Sequence, residues 1–207
     1  MSVAAITIPL MSVAVIRYHR RMSRWEPDAR GRLAQAAMEL YTERGFEQTT
    51  VVEIAERAGL TERTFFRYFA DKREVLFAGS AELQEHLVSA LDAAPESARP
   101  MEAIGAALDA IADVLQDREF SRQRQVVIAA NAELRERELI KMATLSVAFA
   151  DGLRRRGVTD PAASLAAEAG VAVFRVAFER WVGDSSNGDL SQIMRESLDQ
   201  LKALATS

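Results

Sequence analysis

Hydrophobic residues recur along most of this 207-residue chain at the three- to four-residue spacing of α-helices. No segment keeps the two-residue alternation of a half-buried β-strand, and the five prolines and ten glycines concentrate between the helical stretches. The pattern therefore predicts an all-α protein. The predicted helices cover about residues 28–44, two short stretches within 49–69, and then 71–91, 101–116, 119–134, 138–155, 161–182 and 190–204.

One segment in the first third of the chain carries the clearest signals for where helices begin. Thr50–Glu53 and Asp71–Glu74 have the spacing of a capping box, in which the first side chain accepts from a helical amide and the glutamate bonds back. Between them, Gly59 is suited to end one short helix and Thr61 to cap the next. Residues 49–69 are therefore predicted to form a helix-turn-helix.

The same spacing separates an inward face from an outward face of this helix-turn-helix. We expect a buried face of Val52, Ile54, Ala55, Ala58, Leu60, Phe65 and Phe69. The second helix then directs outward Glu62, Arg63, Thr64, Phe66, Arg67 and Tyr68. Plain packing of three helices is the alternative, but an exposed ring such as Phe66 among cations is typical of a binding surface. This mixture suits a DNA groove lined by phosphates and base edges.

Composition and charge narrow the possible functions. The sequence is 49% hydrophobic and 27% charged with a net charge of −4, so any DNA contact must come from a local patch rather than from bulk electrostatics. It has no cysteine, and its two histidines, His19 and His86, are too far apart for a metal site of the HExxH type. We therefore expect no metal, no cofactor and a reduced, cytoplasmic setting.

The first 21 residues differ from the rest of the chain. Their apolar run at 3–16 is too short to span a membrane, so it does not fit a membrane anchor. Its positive charges, Arg17, Arg20 and Arg21, follow the run, whereas those of a signal peptide come before it. We expect residues 1–21 to be a disordered leader, or to precede the true start at Met22; a basic arm that adds phosphate contacts is the alternative. The predicted domains are then 22–75 for the helix-turn-helix and 76–207 for the remainder.

Residues 29–77 resemble the DNA-binding domain of TetR/AcrR-family transcriptional regulators. The resemblance rests on three stretches, Ala36–Phe46, Thr49–Thr61 and Thr64–Leu76. The rest of the chain resembles the family only in the number and order of its helices. The resemblance implies a three-helix DNA-binding domain that is followed by a larger helical domain for effector binding and dimerisation.

Carried over by position, the resemblance implies roles for individual residues. Arg63 and Phe66 would lie in the major groove and read base edges. Arg63 stands where the family often has a small residue, and Val51 lacks the polar side chain often found at its position, so the operator sequence does not follow by analogy. The implied phosphate contacts, which would fix the register, are Thr50, Thr61, Thr64, Tyr68 and Lys72.

The larger domain of this family is a helical shell around an apolar cavity, and three stripes of the sequence supply candidate lining residues. Met and aromatic side chains suit an adaptable pocket, and Arg124 or Arg175 would provide a polar anchor. Ordinary core packing is the alternative for each of them. The candidates are Ile104, Leu108, Arg124, Met142, Leu145, Phe149, Phe174 and Phe178.

The helix predicted over 161–182 is apolar around most of its circumference, so it must be buried, and the last helix has an apolar face. These two helices could form a four-helix interface with a second copy, whose two-fold axis would place two reading helices about one turn of DNA apart. A monomeric core is the alternative. The candidate interface residues are Leu165, Ala169, Val173, Val176, Leu190, Ile193, Met194 and Leu198.

These features predict a sequence-specific, DNA-binding transcriptional regulator that forms a homodimer. The leading interpretation is a repressor that a small apolar or amphipathic ligand releases from a palindromic operator, without any membrane partner. One alternative is a DNA-binding regulator without an effector. The other is an all-α enzyme, with Glu133, Glu136 and Glu138 as acidic candidates, although no nucleophile, base or phosphate-binding loop accompanies them.

We expect Arg63→Ala to relax the base preference at one position in each half-site and to cost about 1–3 kcal/mol of binding free energy on the preferred DNA. Lys72→Ala, at an implied phosphate contact, should weaken binding to all DNA sequences alike. Titration of both variants against the selected operator and against random DNA measures the difference. Equal losses on both DNAs for Arg63→Ala would contradict a base-reading role.

Overall fold

The computed structural model describes residues 28–183 and 188–206 of the chain. Within these residues the regular structure consists of nine α-helices and one short 3₁₀ helix, without a β-strand, so the all-α prediction is confirmed. The leader expected at residues 1–21 lies outside the described residues. The helices are α1 (Ala29–Arg44), α2 (Val51–Arg57), α3 (Glu62–Tyr68), the 3₁₀ helix (Glu74–Phe77), α4 (Ser80–Asp92), α5 (Pro100–Val114), α6 (Arg118–Ala130), α7 (Ala132–Arg155), α8 (Ala162–Gly183) and α9 (Leu190–Thr206).

The first of two hydrophobic cores belongs to the smaller, N-terminal unit. It is built on α1, α2, α3 and the 3₁₀ helix, with Ile54 and Phe65 fully buried. Val127 and Ile128 of α6 and Leu134 of α7 complete it. The smaller unit therefore depends for its packing on two helices that lie much later in the chain.

The second core lies among α4 to α9, where α8 packs against α5, α6, α7 and α9. Gly170 of α8 permits a close approach, since a Cβ atom there would lie 2.7 Å from Cγ2 of Ile104 and 3.7 Å from Cδ2 of Phe149. A separation of 2.7 Å is too short for two carbon atoms, so a larger residue would push α5 and α8 apart. The centre of the larger unit is therefore tightly filled.

The connection between the two cores differs from the single long helix that the sequence predicts from Asp71 onward. The Asp71 carboxylate accepts from the backbone N–H of Arg73 at 2.8 Å and of Glu74 at 3.2 Å, but only a single 3₁₀ turn follows. Gly79 then has a φ of 89°, outside the α-helical region, and α4 begins after it. The prediction was wrong because a capping signal marks where a helix begins and not how far it continues.

The joint between α6 and α7 is also displaced from the place between residues 134 and 138 where the sequence predicts it. That charged run forms the first turns of α7. The break lies at Asn131, whose backbone is extended at φ −124° and ψ 121° and whose side-chain amide donates to the carbonyl of Val127 at 2.7 Å. Asn favours such breaks because its side chain competes for backbone hydrogen bonds.

Candidate nucleic-acid interface

The first helix of the helix-turn-helix, α2, begins with a complete capping box. Oγ1 of Thr50 accepts from the N–H of Glu53 at 3.3 Å, and Oε2 of Glu53 accepts from the N–H of Thr50 at 2.9 Å. The hydrogen bond from the Thr50 N–H, a second one from the Thr50 hydroxyl to Oε2 at 2.8 Å and the nearby Arg44 guanidinium hold the pKa of Glu53 below its ordinary value, so the carboxylate stays ionised. The predicted start of α2 is confirmed, and Thr50 lies exposed at this helix end.

The second helix, α3, is fixed to the core from one side only. Gly59 makes the turn before it with a φ of 66°, and Oγ1 of Thr61 caps it by accepting from the N–H of Thr64 at 3.2 Å. Phe65 and Phe69 are 0% and 4% exposed and anchor the helix to the first core. The predicted helix-turn-helix is thereby confirmed, and the outer face of α3 remains available to a partner.

Five of the seven residues predicted to face inward are buried, and two are not. Val52 is 44% exposed. Residues at i, i+3, i+4 and i+7 share one face of a helix, and the face that packs inward begins at Val51 and continues through Ile54, Ala55 and Ala58, so Val52 lies outside it. The expectation for Val52 was therefore wrong, and Leu60 is half-buried. The confirmed buried residues are Ile54, Ala55, Ala58, Phe65 and Phe69.

Arg63 and Phe66 point away from the core on successive turns of α3. The Phe66 ring is 52% exposed and meets the ring of Phe65 edge-on, with centroids 5.5 Å apart. Arg63 is exposed and has no hydrogen bond or ion pair with any other residue in the described part of the chain. A solvent-facing ring beside an unengaged guanidinium is an arrangement suited to a groove that offers both thymine methyl groups and guanine acceptors.

Four polar side chains of α3 and its N-cap have partners within this segment. The hydroxyls of Thr61 and Thr64 lie 3.0 Å apart, so one donates to the other and one proton is left for a further acceptor. Nη2 of Arg67 donates to Oη of Tyr68 at 3.1 Å, and its guanidinium lies 4.9 Å from the centroid of that ring. These four side chains leave hydroxyl donors at the surface that suit a phosphate oxygen.

Lys72 is the implied phosphate contact that the structure places in a different role. Its ammonium donates to the carbonyl oxygens of Phe46 at 2.8 Å, Glu47 at 3.3 Å and Thr49 at 3.0 Å, and lies 4.3 Å from the centroid of the Phe46 ring. An ammonium group has three N–H donors, so these carbonyls engage all of them. The assignment of Lys72 as a free phosphate ligand is corrected: it ties the segment after α3 to the loop between α1 and α2.

Helix α1 holds the same segment from the other side. Oη of Tyr41 donates to the carbonyl of Lys72 at 2.6 Å, and its ring meets that of Phe46 edge-on at 5.2 Å between centroids. Burial, with the Asp71 carboxylate nearby, raises the pKa of Tyr41 well above its ordinary value, so the phenol remains a donor. The loop, α1 and Lys72 thus form one hydrogen-bonded unit behind α3.

Two further cations of the smaller unit, Arg57 and Arg44, are paired with carboxylates. Arg57 of α2 lies 2.9 Å from Glu43 and 3.3 Å from Glu39, both on α1. Arg44 lies 2.9 Å from Glu53. This surface is therefore not a broad positive patch, and affinity for DNA must come from a few placed groups.

Most of the residues predicted to line a ligand pocket are packed within the second core. Met142 and Phe178 are half-buried at the edge of the second core. Arg124 lies elsewhere, since its Nε donates to the carbonyl of Leu76 in the 3₁₀ helix at 2.7 Å, so the prediction that it anchors the pocket is corrected. The other candidates are buried within the filled core: Ile104, Leu108, Leu145, Phe149 and Phe174.

Two open clefts are lined by other residues. One, of about 430 Å³, lies where α5 ends and α9 begins, and includes Trp181 and Ser191. The other, of about 540 Å³, lies between α4 and α7 and includes Glu85, Val88 and Arg155. Neither cleft contains any of the predicted pocket residues.

The predicted dimer residues divide into two groups. Five are buried in the chain's own second core, because α9 and one side of α8 pack against each other and α9 also packs against α5. Their assignment to a subunit interface is therefore corrected: Val173, Leu190, Ile193, Met194 and Leu198. Leu165 and Val176 remain on the outer face of α8, 66% and 46% exposed, with Ala169 between them.

Ala172 belongs to the same outer stripe and was missed by the sequence interpretation. It is exposed and completes a set at i, i+4, i+7 and i+11 with Leu165, Ala169 and Val176. That spacing is the signal that could have found it, since it describes a narrow seam along one face of a helix. The outer stripe of α8 is defined by these four residues.

The acidic residues considered for an enzyme include two members of ion pairs. Glu133 lies 3.7 Å from Arg73, and Glu138 lies 3.4 Å from Arg124. Among residues 28–183 and 188–206, no group of three or more His, Cys, Asp or Glu side chains is placed to hold a metal ion. In the same ranges, no helix has the length and apolar character needed to cross a bilayer.

Two protein-family models match the chain. The model for bacterial regulatory proteins of the tetR family matches residues 33–78, and the model for the MftR C-terminal domain matches residues 98–205, just over half of the chain. The first match contains most of α1, all of α2 and α3, and the 3₁₀ helix. The second contains α5 to α8 and nearly all of α9.

Individual proteins are similar over different extents. TcmR, an HTH-type transcriptional regulator of Streptomyces glaucescens, is 36% identical over 91 residues, which cover 44% of this chain and only 40% of TcmR. MftR of Mycobacterium tuberculosis, named for transcriptional regulation of mycofactocin biosynthesis, is 28% identical over 158 residues, 74% of this chain and 80% of MftR. The structure of Thermus thermophilus FadR, a TetR-family repressor in complex with lauroyl-CoA, has a TM-score of 0.52 and 26% identity, covering 83% of this chain and 92% of FadR.

A capped helix-turn-helix with an exposed reading helix, followed by a larger helical domain, defines a DNA-binding transcriptional regulator. The family matches agree with this class over both parts of the chain. The chain belongs to the TetR family of bacterial regulatory proteins, and its larger domain is of the MftR C-terminal type.

The role of Lys72 can be tested by its effect on folding. We expect Lys72→Met to lower the free energy of unfolding by about 1–3 kcal/mol, because three carbonyl acceptors lose a charged donor. Arg63→Met, which removes an unengaged surface cation, should change it by less than about 0.5 kcal/mol. Urea unfolding of both variants measures the difference, and equal stabilities would contradict the structural role of Lys72.

Proposed function

We propose that this protein is a cytoplasmic repressor that binds a palindromic operator as a homodimer and is released by a small apolar or amphipathic ligand. In this proposal residues 22–75 form the DNA-binding domain and residues 76–207 bind ligand and dimerise. The single observation that carries the proposal is the outer face of α3, where Arg63 and Phe66 are exposed while Phe65 and Phe69 fix the helix from behind.

The contacts with DNA divide by residue type. Arg63 would donate to guanine O6 or N7, and Phe66 would pack on a thymine methyl group. The hydroxyls at α3 would donate to phosphate, whereas the Thr50 hydroxyl, which donates to Oε2 of Glu53 at 2.8 Å, would exchange that acceptor for a phosphate oxygen. The amides at both helix starts favour an anion there. The proposed phosphate contacts are Thr50, Thr61, Thr64 and Tyr68.

Dimerisation is proposed through the outer stripe of α8. In the outer stripe of α8, Leu165, Ala172 and Val176 are exposed to solvent and Ala169 is half-buried, and a second copy related by a two-fold axis would cover them. The two small alanines permit close helix approach. The same axis would present two α3 helices to successive major grooves of one DNA face.

The ligand part of the proposal is supported by chemistry in the larger domain. FadR, which is 26% identical to this chain, has been crystallised with lauroyl-CoA. Here the second core combines aliphatic residues with Met142, Phe174 and Phe178, and Oε1 of Gln125 in α6 is buried without a donor among the described residues. A ligand that entered between these helices would favour a more open arrangement than the filled core, and would thereby shift the population away from it.

Selection of DNA fragments by the full-length chain tests operator binding and dimerisation together. The recovered fragments should share an inverted repeat, and sedimentation should give a dimer. Val176→Glu places a charge in the outer stripe of α8, so it should give a monomer and weaken operator binding on the order of 100-fold, because one half-site loses the avidity of two. Val126→Glu, at a valine of α6 that is 61% exposed, should change neither. A dimeric Val176→Glu protein contradicts the proposed interface, and fragments without a repeat contradict the operator.

Ligand binding is tested by melting temperature with lauroyl-CoA as the probe and free coenzyme A as the control. A ligand that binds only the folded state at 100 times its dissociation constant stabilises it by about 2.7 kcal/mol, which raises the melting temperature measurably. Lauroyl-CoA, and not coenzyme A, should also release the selected operator. If neither lauroyl-CoA nor a panel of other amphipathic compounds shifts melting or release, the protein is a regulator without an effector.

A further inference from the structure

Side chains of the larger domain hold the 3₁₀ helix that ends the DNA-binding domain. Arg124 reaches it from α6: its Nε donates to the carbonyl of Leu76 at 2.7 Å, and its guanidinium lies 5.1 Å from the centroid of the Phe77 ring. Nη1 of the same side chain lies 3.4 Å from Glu138 of α7. Arg124 therefore contacts the backbone, a ring and a carboxylate at one junction.

Glu74, at the start of the 3₁₀ helix, is held from α7. Its Oε1 accepts a short hydrogen bond from Arg137, and its Oε2 lies 3.5 Å from Nζ of Lys141. The side chains of Glu74 and Lys141 are 20% and 27% exposed, so these pairs are screened less than ordinary surface ion pairs. A weaker pair joins Arg73 to Glu133 at 3.7 Å.

The covalent connection at this junction gives little orientation of its own. The chain passes from the first core to the second at Ala78 and Gly79, where Gly79 has a φ of 89° and separates the 3₁₀ helix from α4. A continuous helix would transmit orientation along its axis, but a glycine between two helices does not. The relative placement of the two domains must therefore come from contacts between side chains.

We propose that Arg124 and Glu74 are positioning residues that fix the orientation of the helix-turn-helix relative to the larger domain, although neither touches DNA. Arg124 acts through the Leu76 carbonyl and the Phe77 ring, and Glu74 acts through Arg137 and Lys141. These contacts would regulate the same DNA-binding surface, so their effect on DNA rests on the proposed function; their effect on orientation does not.

Distance measurements on the full-length protein test the orientation directly. The chain has no cysteine, so Glu56→Cys on α2 and Gln200→Cys on α9, both exposed, provide two specific sites for spin labels. The doubly labelled protein is diluted with unlabelled protein so that only distances within one chain contribute. We expect a narrow distance distribution in the parent and a broader or shifted one in Arg124→Met and in Glu74→Gln.

Arg99→Met is the matched control, since it removes an 81% exposed arginine outside this junction. Its distribution should equal that of the parent. If Arg124→Met fails to fold by circular dichroism, Glu74→Gln decides the question. If the folded variants give distance distributions with the same width and the same mean distance as the parent, the proposal is overturned.

Operator binding then separates this inference from the proposed function. The orientation of the helix-turn-helix matters when a dimer must contact two half-sites at once. Both variants should therefore bind a palindromic operator on the order of 2- to 30-fold more weakly than the parent. They should bind a single half-site with the affinity of the parent. They should also lose the parent's preference for the natural half-site spacing over a spacing lengthened by two base pairs. If the parent selects no DNA, the proposed function fails and the distance result still stands; if the parent keeps a spacing preference and both variants share it, the positioning role fails.

Discussion

The hydrogen bonds from the Lys72 ammonium to the carbonyls of Phe46, Glu47 and Thr49 join the loop before α2 to the segment after α3. Helices of seven residues, such as α2 and α3, have little stability of their own in water. The Lys72 ammonium therefore holds together the two segments that flank these marginal helices. Tyr41 of α1 adds a hydrogen bond to the carbonyl of Lys72. The spacing of the exposed groups on α3 consequently depends on hydrogen bonds that lie on the opposite side of the helix-turn-helix.

The boundary between the domains is built on the same principle, in which polar side chains satisfy backbone groups that secondary structure leaves unpaired. Arg124 meets the Leu76 carbonyl where a 3₁₀ turn ends, much as Lys72 meets the carbonyls where α1 ends. Val127 and Leu134 add apolar contacts from α6 and α7 to the smaller core. The DNA-binding domain is thus continuous with the larger domain in its packing, while the chain itself turns at Gly79.

Local signals were enough to predict the helix-turn-helix, because Thr50, Gly59 and Thr61 define helix ends through bonds to residues three or four positions away. The role of Lys72 was not predictable, since its acceptors lie 23 to 26 residues earlier and only the tertiary fold brings them together. The apolar pattern of α9 has a related ambiguity: the spacing of residues such as Leu198 identifies a buried face, but burial inside one chain and burial against a second copy require the same spacing.

The exposed face of α3 has a consequence for how proteins of this kind diverge. Among the described residues Arg63 makes no hydrogen bond or ion pair, and the ring of Phe66 meets only that of Phe65 and remains half in solvent. Substitutions at these two positions are therefore nearly neutral for folding, whereas those at the capping threonines are not. If Arg63 and Phe66 read the operator as proposed, a duplicated copy of this regulator could acquire a new DNA preference through one or two replacements without first gaining stability elsewhere, and recognition could then change faster than the architecture that presents it.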